Sequence, residues 1–119
     1  MPRVWCDRTE LQQVLLNLTD NALEAMRTFS AQPRLLELSA VRAGAAEVCV
    51  GVRDSGPGLG ADREQAFRAF YSSKPEGLGL GLNVSRSLVR SLGGRLWASA
   101  NEHGGETFCF TLPIAVDDR

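Results

Sequence analysis

Hydrophobic residues recur at three- and four-residue intervals near the start of the chain. Leu11, Leu15, Leu18, Ala22 and Met26 fall on one side of a helix when Arg8 to Phe29 is wound at helical period. Asp7 stands where an N-cap belongs, and Glu10 follows three residues later in a capping-box pattern. Gln13, Asn17 and Asn21 step by four along a different face. Alternation then replaces the helical period. Val48, Val50 and Val52 alternate with Cys49, Gly51 and Arg53, which predicts a half-buried strand over 47–53. A partner strand is predicted over 35–42, joined around Gly44. Asp54 to Gly60 carries Pro57 and three glycines and excludes regular structure. A short helix is expected within 61–70. A second helix is predicted over Leu82 to Leu92, with Leu82, Leu88, Val89 and Leu92 inward and Gly93-Gly94 as its stop. Segments 95–101 and 106–113 form a final hairpin whose Phe108, Phe110 and Leu112 share one face. Met1 to Trp5 reads as a short strand. These elements predict one α+β domain over residues 1–119, a two-layer sandwich with helices on one face of a mixed, mostly antiparallel sheet.

Composition narrows the function classes. Apolar residues make up 44% and charged residues 23%, the balance of an ordinary soluble globule. A net charge of -1 offers no broad basic surface, so no nucleic-acid partner is expected. No apolar run approaches the ~20 residues of a membrane span, so no direct membrane contact is expected. Cys6, Cys49 and Cys109 lack metal-ligand spacing and are expected as reduced, buried thiols in a cytoplasmic protein. The abrupt start suggests an N-terminally truncated piece of a longer chain, which could itself be membrane-anchored.

Three short blocks carry the candidate chemistry. Asn17 and Asn21, four apart, present two amides on one side of a helix, and each amide offers an acceptor and two donors. A hard cation such as Mg2+ takes oxygen ligands of this kind while keeping several waters. The plainer alternative is a solvated polar face. Asp54 ends a strand before Gly56 and Gly58, where a carboxylate can accept from an exocyclic amine and glycines let backbone approach closely. The plainer alternative is an Asp-Ser-Gly turn. Gly77, Gly79 and Gly81 open the second helix, whose free N–H groups favour phosphate. The spacing is neither a Rossmann nor a Walker pattern. A flexible hinge is the plainer alternative, weakened by the interleaved Leu78, Leu80 and Leu82.

In this order, the blocks resemble the catalytic ATP-binding domain of bacterial sensor histidine kinases, within the superfamily shared with gyrase B, Hsp90 and MutL. Leu11 to Met26 is similar to the N box, Asp54 to Leu59 to the G1 box, Ala66 to Lys74 to the F box and Gly77 to Leu82 to the G2 box. Gly104 to Phe108 resembles the Gly-rich entry to the last strand. The style is that of the nitrogen-regulation and oxygen-sensing branch. The resemblance implies a Bergerat fold that binds ATP and Mg2+. Asn21 would be the metal ligand, with Asn17 beside it. Asp54 would hold the adenine amino group against Gly56 and Gly58. Gly77, Gly79, Leu80, Gly81 and Leu82 would meet the phosphates. Residues 59–78 would be the ATP lid, with Lys74 as its phosphate-facing charge and Phe67 and Phe70 as its anchors. Thr107 would help at the adenine, although Glu106 occupies the position where Thr or Ser is frequent.

The implied function is transfer of the γ-phosphoryl group to a histidine on a separate dimerisation domain, and then to a response regulator. The superfamily's hydrolases carry Glu where Asn17 stands, so negligible ATPase activity is expected; a neutral amide is no base for water. Many sensor kinases carry Lys near Glu24, and Lys74 or Arg86 would replace its charge here. His103 is expected on a surface turn and not as phosphoacceptor. The alternatives are a gyrase- or chaperone-like ATPase module, an anti-sigma-factor-type serine kinase, and a degenerate regulatory domain without nucleotide.

Overall fold

A computed structural model describes residues 3–27, 34–60, 63–68, 81–102 and 104–115. Helix α1 (Arg8–Arg27) begins where the cap pattern places it: Asp7 Oδ1 accepts the Glu10 N–H at 3.0 Å. Its expected last residues, Thr28 and Phe29, lie outside the described residues. The buried row is Val14, Leu18, Ala22 and Met26, each four residues from the last. Leu11 and Leu15, expected in that row, are half-buried on its flank, and Val14 replaces them.

The sheet contains β1 (Leu36–Ala43), β2 (Glu47–Asp54), β3 (Leu96–Ala100) and β4 (Glu106–Pro113), in the order β1-β2-β4-β3. Every pairing among these strands is antiparallel. The two ladders onto β4 bring Val52 opposite Phe108 and Leu96 opposite Phe110, so central side chains of one face stack under the helices. Helix α2 (Gly81–Ser91) packs against α1, and Leu82, Val89 and Leu92 join the same core. Gly93 closes α2 in the left-handed region at φ 91°, and the Gly94 N–H returns to the Val89 carbonyl at 2.9 Å. A Cβ on Gly94 would stand 1.7 Å from the Thr111 carbonyl oxygen, so only glycine lets the helix exit cross β4.

The short helix expected within 61–70 is a 3-10 turn over Arg63–Phe67. The N-terminal strand reduces to one bridge, Val4 to Ile114. The three cysteines are free as expected, yet half-buried; Cys49 and Cys109 lie on the face of the sheet away from the helices. Burial pushes the Cys109 thiol up. No helix among the described residues is long and apolar enough to cross a membrane.

Candidate functional site

The row Gln13, Asn17, Asn21, Ala25 runs beside the buried row of α1, rotated by one residue or about 100°. Burying Val14, Leu18, Ala22 and Met26 therefore fixes where the amides face. At one end of the row, Asn17 Nδ2 donates to the Gly81 carbonyl at 3.4 Å while its Oδ1 accepts from Gln13 Nε2 at 2.7 Å. This ties α1 to the first residue of α2, whose opening N–H groups have no intrahelical partner. A Cβ on Gly81 would meet no other described residue within 4 Å. Asn21 lies one turn further, half-buried, with no side-chain hydrogen bond to another described residue. At the far end, a Cβ on Gly56 would stand 3.3 Å from Ala25 Cβ and 3.1 Å from Asp54 Oδ1. Glycine is thus what lets the loop after β2 meet α1. The helix rise puts about 12 Å between the Asn17 and Ala25 levels.

Asp54 ends β2 with only 3% of its surface exposed. Its Oδ1 accepts the Gly56 N–H at 2.8 Å and the Glu106 N–H at 3.4 Å. Burial raises its carboxyl above the ordinary value, the two amides oppose that rise, and the Glu106 charge adds to it. Its backbone carbonyl accepts from Asn101 Nδ2 at 2.9 Å. A Cβ on Gly105 would fall 2.1 Å from that carbonyl oxygen, and Gly105 has φ 89°. A Cβ on Gly58, at φ 84°, would stand 3.4 Å from the Gly105 carbonyl oxygen and 3.5 Å from Glu106 Oε1.

Glu106 is 2% exposed and shares the Asp54 side of the sheet. Its Oε1 accepts from Leu59 N–H at 3.1 Å and Arg63 Nη2 at 3.2 Å, and its Oε2 accepts from Arg63 Nε. Arg63 Nη1 also donates to the Gly60 carbonyl at 2.7 Å. Thr107 is turned the other way. It pairs with Arg53 and Ser99 in the ladders, and its hydroxyl donates to Asn101 Oδ1 on the face away from Asp54. The structure therefore does not bring Thr107, expected at the adenine, together with the Asp54 carboxylate. Alternation with inward Phe108 and Phe110 sends residue 107 outward and 106 inward.

Arg86 is likewise not directed to the site. It donates to both Glu64 oxygens at 2.7 and 3.1 Å and to the Leu96 carbonyl, and stacks 3.8 Å from the Phe67 ring centroid. Those bonds hold the Glu64 carboxyl below its ordinary value. Phe67 is buried edge-on against Phe108 at 6.0 Å. Leu82 is buried in the core and offers the site only backbone. Lys74, Gly77, Gly79, Leu80, Phe70 and His103 lie outside the described residues. Arg63 and Asn101 are site-building residues outside every motif, and Glu106 lies in the Gly104 to Phe108 block without having been assigned a role.

A cation would find oxygen donors here. Among the described residues no group of three or more His, Cys, Asp or Glu forms a metal cage. The Asn21 amide is available, which suits Mg2+, a hard cation that keeps waters and phosphate oxygens in its shell.

The profile described as "Histidine kinase-, DNA gyrase B-, and HSP90-like ATPase" matches residues 6–116. The sensor protein FixL of Bradyrhizobium diazoefficiens is 45% identical over 118 residues, covering 97% of this chain and 23% of FixL. The chain spans less than a third of the length of the curated relatives it matches. The catalytic domain of histidine kinase ThkA superposes with TM-score 0.79 at 32% identity, over 93% of this chain and 70% of that domain. Full-length ShkA in complex with AMPPNP gives TM-score 0.81 at 31% identity, over 98% of this chain and 24% of ShkA.

Proposed function

Since the chain belongs to the histidine kinase-, DNA gyrase B- and HSP90-like ATPase family, we propose that it is the part of a sensor histidine kinase that binds Mg-ATP and presents the γ-phosphoryl group to a histidine on a separate dimerisation domain. Its relatives are sensor histidine kinases, which favours this reading over a serine kinase or a nucleotide-free module. The observation that carries it is the α1 row, with Asn17 against the start of α2 at one end and the Gly56–Asp54 turn against Ala25 at the other.

In this reading Asp54 accepts the adenine amino group, and Gly56 and Gly58 form the wall beside the base. Asp54 suits that role because two amides already hold it in place and its burial excludes competing water. Asn21 and Asn17 hold the metal–phosphate end. Bound Mg2+ would neutralise phosphate charge during in-line transfer, which rests on positioning and electrostatics. The backbone at Gly81 and Leu82 meets the phosphates. Lys74, Gly77, Gly79 and Leu80 join the site, and 59–78 acts as lid, on the resemblance alone. Asn17 leaves water without a base, so hydrolysis is negligible. Phosphotransfer to a response regulator follows in the parent protein, on the cytoplasmic side. ShkA's complex with AMPPNP supports a nucleotide of this class.

Calorimetric titration of ATP, with and without Mg2+, tests the reading on this chain and on Asp54→Ala. Saturable, metal-dependent binding that the substitution abolishes is expected. Absence of binding by the folded, unsubstituted chain overturns it.

A further inference from the structure

Asp54 and Glu106 are two buried carboxylates on neighbouring strands, joined through the Glu106 N–H on Asp54 Oδ1 at 3.4 Å. The Glu106 charge disfavours ionised Asp54, and a counter-charge on Glu106 relieves that repulsion. Arg63 supplies one. Its guanidinium engages both Glu106 oxygens and is itself partly buried, with 27% of its side chain exposed. The same Glu106 oxygen that takes Arg63 Nη2 also takes the Leu59 N–H, so the pair anchors the loop carrying Gly56 and Gly58. The 3-10 turn bearing Arg63 is pinned from its other side by Arg86 on Glu64 and by Phe67 in the core.

We propose that Arg63 and Glu106 are positioning residues for base selection, with Arg63 balancing the Glu106 charge so that Asp54 stays a pure hydrogen-bond acceptor. This rests on the nucleotide reading above. An ionised Asp54 accepts from an amino group and repels a carbonyl oxygen at the same place. Without Arg63, the unbalanced Glu106 charge disfavours ionised Asp54 further and so favours its protonated form. A protonated Asp54 can donate as well as accept, and it then no longer separates an amino base from a carbonyl base. Neutralising Glu106 removes the need for Arg63: a glutamine there still offers an oxygen to the Leu59 N–H.

The test is the ratio of dissociation constants for ATP and inosine triphosphate, which carries a carbonyl in place of the adenine amine. It is measured by calorimetry in Mg2+ on the chain as given and on Arg63→Met, Glu106→Gln and the double variant. The unsubstituted chain should favour ATP by about tenfold or more, as expected for a hydrogen bond to a charged acceptor. Arg63→Met should lose most of that preference by weakening ATP, with inosine triphosphate affinity held within about twofold, and the double variant should regain it. Parallel loss of both nucleotides in Arg63→Met assigns Arg63 a merely structural role and overturns the inference, as does a preference left intact. If Arg63→Met does not fold, Glu106→Gln is compared with the double variant. Equal preference supports the inference, and a lower preference in the double variant overturns it. Failure of the unsubstituted chain to bind either nucleotide overturns the nucleotide reading itself and this inference with it.

Discussion

The two ends of the α1 row are built differently. At the Asp54 end the polar groups already have partners: Asp54 holds two amides, Glu106 holds Leu59 and Arg63, and Asn101 holds the Asp54 carbonyl. At the Asn17 end there is one long contact to the Gly81 carbonyl, an Asn21 amide unpaired among the described residues, and no other described residue within 4 Å of a Cβ at Gly81. In the proposed reading the first end is preorganised to read a rigid base, and the second leaves donors and acceptors for a metal and flexible phosphates. Changes at the closed end should therefore disturb fold and selectivity together, and changes at the open end should weaken nucleotide binding alone.

The largest effect is expected from Gly105→Ala. Its Cβ would collide with the Asp54 carbonyl oxygen at 2.1 Å, and alanine strains at φ 89°. Stability should fall by more than about 2 kcal/mol, measured by urea unfolding. A loss below that would mean the turn relaxes freely and the closed end is less rigid than described. Asp54→Asn alters both function and stability, in opposite directions. The amide oxygen can still accept both N–H groups, while the buried charge beside Glu106 disappears. ATP affinity should drop about tenfold or more, yet the thermal midpoint at neutral pH should rise by a few degrees, since about 1 kcal/mol moves such a domain by ~4 °C. The folded Asp54 carboxyl binds its proton more tightly than the unfolded one, whose ordinary value is 3.8. Through this group, acidification favours the fold, and the gap between the two proteins should close as pH falls through the raised value.

At the open end, Asn21→Ala should weaken ATP about five- to tenfold in Mg2+ and by less without it. Equal weakening in both conditions would remove Asn21 from the metal. The smallest effect belongs to Gly81→Ala. No other described residue lies within 4 Å of the new methyl, so stability should change by less than ~1 kcal/mol, while Mg-ATP binds a few-fold more weakly. Unchanged affinity would move the phosphates away from the start of α2.

The contrast also explains what was legible in the sequence. The open end was readable because its parts are local: the Asn row follows from helical period, and α2 from its apolar face and glycine stop. Asp54 was readable as a strand end before glycines. The balance behind it was not, because Arg63 and Glu106 lie 43 residues apart and pairing across a loop leaves no period. One part of it was legible: inward Phe108, Phe110 and Leu112 require Glu106 inward and Thr107 outward. The α1 stripe was legible from Leu18 through Ala22 to Met26; at its start the larger Leu11 and Leu15 drew the reading, whereas Val14 is the fully buried residue and the two leucines pack half-buried beside it.

The most direct measurement is calorimetric binding of Mg-ATP to the chain and to Asp54→Asn, with the thermal midpoint of each. The expected result is saturable binding by the first, strongly reduced binding by the second, and a higher midpoint for the second. Undiminished binding by Asp54→Asn would contradict the assignment of the closed end to the base.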